Sequence, residues 1–107
     1  MRICLLGNNL TNLVLANVLA NKKLFVDIVY KRNFTKRESS RTLSISNDNY
    51  EYLKKIQNNF NVYAWPSEKI KIYNERSKLE ELFEFENKKK DIFFLFKYNE
   101  IYNFFYN

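Results

Sequence analysis

Histidine is absent from this sequence, and cysteine, glycine and proline occur once each, as Cys4, Gly7 and Pro66. Without histidine the usual zinc sites and every Ser-His or Cys-His catalytic pair are excluded, and a lone cysteine excludes an internal disulfide. The expectation is that a cofactor brings any chemistry done on this chain, and no residue is assigned as catalytic or as a metal ligand. No apolar run approaches the ~20 residues that a membrane-spanning helix needs, and the N-terminus lacks the basic flank and small-residue cleavage site of a secretory signal. The expectation is a soluble, cytoplasmic chain.

What is present bounds the rest. The length of 107 residues is that of one small domain, and a hydrophobic share of 46% is that of a folding chain. Asn, Lys, Phe and Tyr are abundant, as an AT-rich coding sequence tends to produce. The balance of 18 Lys+Arg against 12 Asp+Glu gives a net charge of +6, which would suit an acidic partner or nucleic acid. The basic residues are scattered, however, as Lys22-Lys23, Lys31-Arg32, Arg37, Lys54-Lys55 and Lys88-Lys89-Lys90, with acids interleaved from Glu51 onward. A solvated surface is the favoured reading and nucleic-acid binding the minor alternative.

The pattern along the chain predicts an α/β fold. Arg2 to Leu6 is a short apolar run closed by Gly7, which reads as a strand buried on both faces, with Cys4 a small core side chain. Asn8, Asn9 or Thr11 could cap the helix that follows, where Leu10, Leu13, Val14, Asn17, Val18 and Asn21 fall at helical spacing and further apolar residues widen the face. That helix should be covered by protein on most sides. Residues 24–30 (Leu-Phe-Val-Asp-Ile-Val-Tyr) read as a second strand, so that strand, turn, helix and strand make a βαβ unit with parallel strands.

Residues 31–40 are polar and aperiodic, an exposed loop. Thr42 to Ser46 alternates; Tyr50, Leu53, Ile56 and Phe60 then mark an amphipathic helix capped by Asn47 or Asp48, and Trp65-Pro66 breaks the pattern. Lys69 to Tyr73 and residues 82–86 alternate at period two, as antiparallel strands with one wet face. A charged turn at 87–91 leads to an apolar strand at 92–96 and a last helix at 99–106, with Ile101, Tyr102 and Phe105 on one side.

The turn at Gly7 lies where G-x-G-x-x-G binds a dinucleotide pyrophosphate: the first glycine makes the turn, the second admits phosphate to bare backbone, the third lets helix and strand pack closely. Here the three positions are Gly7, Asn9 and Asn12. By this element alone, a βαβ packing unit without ligand is the default.

The order of later segments adds to it. Arg41-Thr42-Leu43-Ser44-Ile45-Ser46, continuing to Leu53, resembles the R-x-x-A-L-S-x-x-S-x-x-x-L stretch of the FAD-dependent aromatic-ring hydroxylases, most closely the ubiquinone-biosynthesis hydroxylase group. The break at Ala64-Trp65-Pro66, the strand at Lys69 to Tyr73 and the run Phe94-Leu95-Phe96-Lys97-Tyr98-Asn99-Glu100-Ile101 follow that family's order, so the resemblance spans the whole chain. It implies a Rossmann-like βαβ unit followed by a helix and a small antiparallel β-sheet, an incomplete FAD-binding domain. Residues 1–107 are then one partial domain, with 1–60 the FAD-binding-type βαβ unit and helix and 61–107 the antiparallel strands and terminal helix.

The resemblance further implies FAD as cofactor and NAD(P)H as reductant in the full-length family, with Gly7 at the pyrophosphate loop and Arg41 approaching the flavin. Asn9 and Asn12 stand where the family has glycines, and Tyr30 where it has the acid that holds the adenosine ribose, so the cofactor-binding set Gly7, Asn9, Asn12, Tyr30 and Arg41 is degenerate. A phenol does not repeat a carboxylate's double acceptance from a ribose diol. The implied partners are an aromatic or quinone-precursor small molecule, a membrane surface contacted peripherally, and a missing C-terminal portion or a protein partner; nucleic acid is not among them. The expected function is the N-terminal part of a flavin-dependent monooxygenase, inactive alone. The alternative is a non-catalytic remnant or interaction module.

Overall fold

The computed structural model describes residues 1–31, 41–76, 81–87 and 91–106. In chain order the elements are β1 (Arg2–Leu6), α1 (Leu10–Asn21), β2 (Phe25–Val29), β3 (Thr42–Ser46), α2 (Asn47–Ile56), β4 (Ala64–Ser67), β5 (Lys69–Tyr73), β6 (Glu81–Glu86), β7 (Phe93–Lys97) and α3 (Tyr98–Tyr106). The expected loop at 31–40 and the tip of the turn at 87–91 fall largely outside the described residues. No helix among those described is long and apolar enough to cross a membrane.

β1 and β2 pair in parallel from Arg2↔Phe25 to Leu6↔Val29, joined through α1. Ile3, Leu5, Val26 and Ile28 are half-buried on the α1 side, while Arg2, Cys4, Leu6, Phe25 and Val29 alternate with them and are exposed. This corrects the expected burial of β1 on both faces and of Cys4 in the core: Leu6 is 78% exposed and Cys4 lies open. A continuous apolar run implies cover on both sides of a parallel sheet, and among the described residues only one side has it. α1 is likewise less covered than its composition suggests, with Leu13 its one buried residue.

The end of α1 shows what a glycine-poor chain does at a helix terminus. Lys23 adopts φ 60°, and its amide donates to the Ala20 carbonyl over 2.9 Å. A glycine normally takes this left-handed position because it has no Cβ to crowd the carbonyl.

β7 is the central strand of a second sheet, ordered β3-β7-β4, with both pairings antiparallel. The segment expected to break at Trp65-Pro66 is therefore the edge strand β4. An edge strand tolerates proline because one side of it needs no amide donor. The cap of α2 is Ser46, whose hydroxyl accepts from the Asn49 amide over 3.3 Å, and not Asn47 or Asp48; Phe60 lies beyond the helix end.

The core forms where these pieces meet. Leu13 of α1, Leu53 of α2, Phe96 of β7, and Ile101 and Phe105 of α3 are buried together. Asparagines tie the helices around it. Asn17 donates to the Phe105 carbonyl over 3.2 Å and accepts from Gln57 over 2.7 Å, and Asn21 donates to the Ile56 carbonyl over 2.8 Å.

β5 and β6 form a separate antiparallel pair. Its charged face carries the Lys69–Glu84 and Lys71–Glu81 pairs at 2.8 and 3.8 Å. The other face, where Ile70 meets Phe85 and Ile72 meets Phe83, is also open, so the expectation of a single wet face is corrected. The radius of gyration, 17.4 Å, records this spread; a compact domain of similar length has about 13 Å.

Candidate functional site

The turn between β1 and α1 is built by three residues with different tasks. Gly7 has φ 94°, and its amide donates to the Val29 carbonyl over 2.8 Å, so the chain leaves the sheet while still bonded to β2. A Cβ added to Gly7 would meet only the Asn9 and Asn12 amide nitrogens at an ordinary 3.7 Å. What glycine contributes here is backbone conformation rather than space.

Asn9 caps α1, its side chain accepting from the Asn12 amide over 2.9 Å. The Asn12 side-chain amide has two hydrogens. It donates to the Leu6 carbonyl over 2.7 Å and to the Gly7 carbonyl over 2.9 Å. The asparagines at the two later fingerprint positions therefore fasten the turn from within. The first turn of α1 carries no acidic residue, which leaves the positive end of the helix dipole unopposed.

The parallel register brings Tyr30, next after β2, beside this turn. Its hydroxyl lies 3.1 Å from that of Tyr106, near the end of α3. Tyr102, one turn earlier on α3, donates its hydroxyl to the Asn8 carbonyl over 2.7 Å. Burial raises the Tyr102 pKa, with smaller contributions from Tyr98 and Tyr30, so this phenol keeps its proton and stays a donor into alkaline solution.

Arg41 reaches the group indirectly. Its guanidinium lies 5.0 Å from the centre of the Tyr98 ring, and its carbonyl accepts from the Tyr98 amide over 2.9 Å. Tyr98 stacks on Tyr102 at 5.9 Å and Tyr102 on Tyr106 at 6.0 Å. The structure thus gathers Gly7, Asn9, Asn12 and Tyr30 at the carboxyl ends of β1 and β2, and joins Arg41 to them through the tyrosine face of α3.

Two features escaped the sequence reading. The first is that face itself: Tyr98, Tyr102 and Tyr106 recur at i, i+4 and i+8, a spacing that stacks side chains along a helix. The second is a cleft of 320 Å³ opening beside the first turn of α1, lined by Leu10, Thr11, Val14, Ile45, Asn49 and Tyr52 among others. Its walls come from α1, β3, α2 and α3, and no local period announces it.

No protein-family model matches the sequence, and no curated protein does. Among solved structures, 2,6-dihydroxypyridine-3-hydroxylase from Arthrobacter nicotinovorans superposes with a TM-score of 0.68 at 17% sequence identity. The shared feature is the fold. The superposition covers 98% of this chain and 25% of that one, so the chain spans a quarter of the hydroxylase's length. At this identity the likeness speaks for the arrangement of strands and helices and not for any side chain.

Proposed function

We propose that the chain is the nucleotide-binding part of a flavin-dependent monooxygenase that hydroxylates an aromatic ring, of the ubiquinone-biosynthesis type, and that it does not turn over alone. The observation that carries this reading is the superposition of nearly the whole chain on part of a ring hydroxylase. The segment order around Arg41 and Ser46, which resembles the same class of enzyme, supports it.

The two halves of the turn suit a flavin dinucleotide unequally. The pyrophosphate half fits in its backbone, where a glycine of positive φ leads into a helix N-terminus free of acids, while the Asn12 side-chain amide is already engaged with the Leu6 and Gly7 carbonyls. The ribose half lacks its carboxylate, since Tyr30 stands there and is engaged with Tyr106. FAD, when bound, would supply the oxidising chemistry that this histidine-free chain cannot. The chain's own part is to hold the diphosphate at Gly7 and the first turn of α1, to present Arg41, and to offer a largely apolar open cleft beside that turn. NAD(P)H as reductant, an aromatic or quinone-precursor substrate, a cytoplasmic setting with peripheral membrane contact, and completion by further polypeptide belong to the same proposal.

A second reading, a non-catalytic module descended from such a domain, is favoured by the two bonds through which Asn12 fastens the turn. FAD titration of the wild-type chain and of a combined Asn9→Gly, Asn12→Gly, Tyr30→Glu variant separates the two. The flavin reading expects tighter FAD binding by the variant. No binding by either would favour the module.

A further inference from the structure

The end of α3 makes more polar contacts with the candidate site than packing alone requires. Three of them reach from this helix to the β1–α1–β2 unit. Tyr102 donates to Asn8 inside the turn, Tyr106 bonds to Tyr30 at the end of β2, and the Phe105 carbonyl accepts from Asn17 of α1. Ile101 and Phe105, on the adjoining face, are 1% and 4% exposed in the core. The helix is thus seated by its apolar side and meets the site with its tyrosine side.

We propose that α3 clamps the candidate nucleotide site: Tyr102 is a positioning residue for the Gly7 turn, and Tyr30 serves as the clamp's anchor for Tyr106 rather than as a ligand for a ribose. The proposal rests on the nucleotide reading of the turn for its ligand consequence, though not for the clamp itself. Tyr30 and Tyr106 share one hydrogen bond in which either hydroxyl can be the donor, and a single phenol oxygen cannot accept from two ribose hydroxyls as a carboxylate does. The pair stands at the corner from which a carboxylate would grip both hydroxyls of a ribose, and holds the Tyr30 hydroxyl toward α3. The site should therefore discriminate poorly between a nucleoside diphosphate and a bare diphosphate.

The test uses the 107-residue chain with two independent readouts. In the absence of ligand, Tyr102→Phe should make the Gly7 amide exchange its hydrogen roughly fivefold faster while amides of the open β5–β6 pair, which exchange by local opening, keep their rates. Tyr30→Phe and Tyr106→Phe should each loosen the end of β2 slightly, and the double variant no further than either single one. Unchanged Gly7 exchange in Tyr102→Phe, or additive effects of the Tyr30 and Tyr106 changes, would overturn the clamp. With ADP and inorganic pyrophosphate as probes, Tyr30→Phe should hold or raise ADP affinity and leave pyrophosphate unchanged. A selective loss of ADP affinity in Tyr30→Phe would make Tyr30 a ribose ligand and overturn its anchoring role. Binding of neither probe by any variant would remove the nucleotide reading, while the exchange measurements would still decide the clamp.

Discussion

Aromatic residues are used in opposite ways at the two ends of this molecule. Around α3, Phe60 lies 6.0 Å from Phe96, 5.1 Å from Phe104 and 5.9 Å from Phe105, with Phe96 wholly buried. On the β5–β6 pair, Phe83 and Phe85 stand 6.5 Å apart, face Ile72 and Ile70 across the pair, and stay 62% and 54% exposed. The first cluster is assembled from segments distant in sequence, so each ring gains neighbours that its own element does not supply. The second is a local ladder, and two strands alone bury too little to be stable by themselves. Hydrophobic residues at the right period make a strand in both places, but only convergence of several elements makes a core.

That contrast can be broken at its strongest point. Phe96→Ala should destabilise the fold by about 3–5 kcal/mol in urea unfolding, whereas Phe83→Ala should stay within about 0.5 kcal/mol. Comparable losses would mean that the hairpin is covered in solution. Next in size is Tyr102→Phe, which removes one partly buried hydrogen bond and should cost about 1 kcal/mol.

Tyr102 also gives the contrast a pH signature. Its folded pKa lies above the unfolded value, so its contribution is fully present below the ordinary tyrosine value and is lost as pH rises through the folded one. Stability of the wild-type chain should fall across that alkaline window, and less steeply in Tyr102→Phe. At the far end of α1, Lys23→Gly should relieve the left-handed backbone and raise stability by about 0.5–1 kcal/mol, visible as a higher midpoint. Smallest of all, Lys69→Met should leave the unfolding midpoint unmoved, because the Lys69–Glu84 pair is open to water.

The elements legible in the sequence were those whose period is local. β1, α1, β2 and β5 begin and end close to where spacing, Gly7 and the polar flanks place them. Two readings failed because burial and pairing are settled by neighbours remote in sequence, and a third for a local reason. Cys4 looked buried because its strand is apolar, yet no described element covers that side. Trp65-Pro66 looked like a break because proline lacks a donor, yet β7 offers it an edge. Ser46 became the α2 cap because the chain turns from strand to helix without a linking residue.

The candidate site divides the same way. Gly7 stands out as the single glycine at the end of a strand. What Asn12 and Tyr30 do depended on side-chain bonds to Leu6, Gly7 and Tyr106 that no spacing rule contains.

In the proposed function the Gly7 turn receives the diphosphate of a flavin dinucleotide. The most direct test of that role follows the backbone amides of the chain during titration with FAD. Saturable shifts centred on Gly7, Asn8, Asn9 and the first turn of α1, diminished by Gly7→Ala, are expected. Shifts confined to the β5–β6 pair, surviving Gly7→Ala, would contradict it.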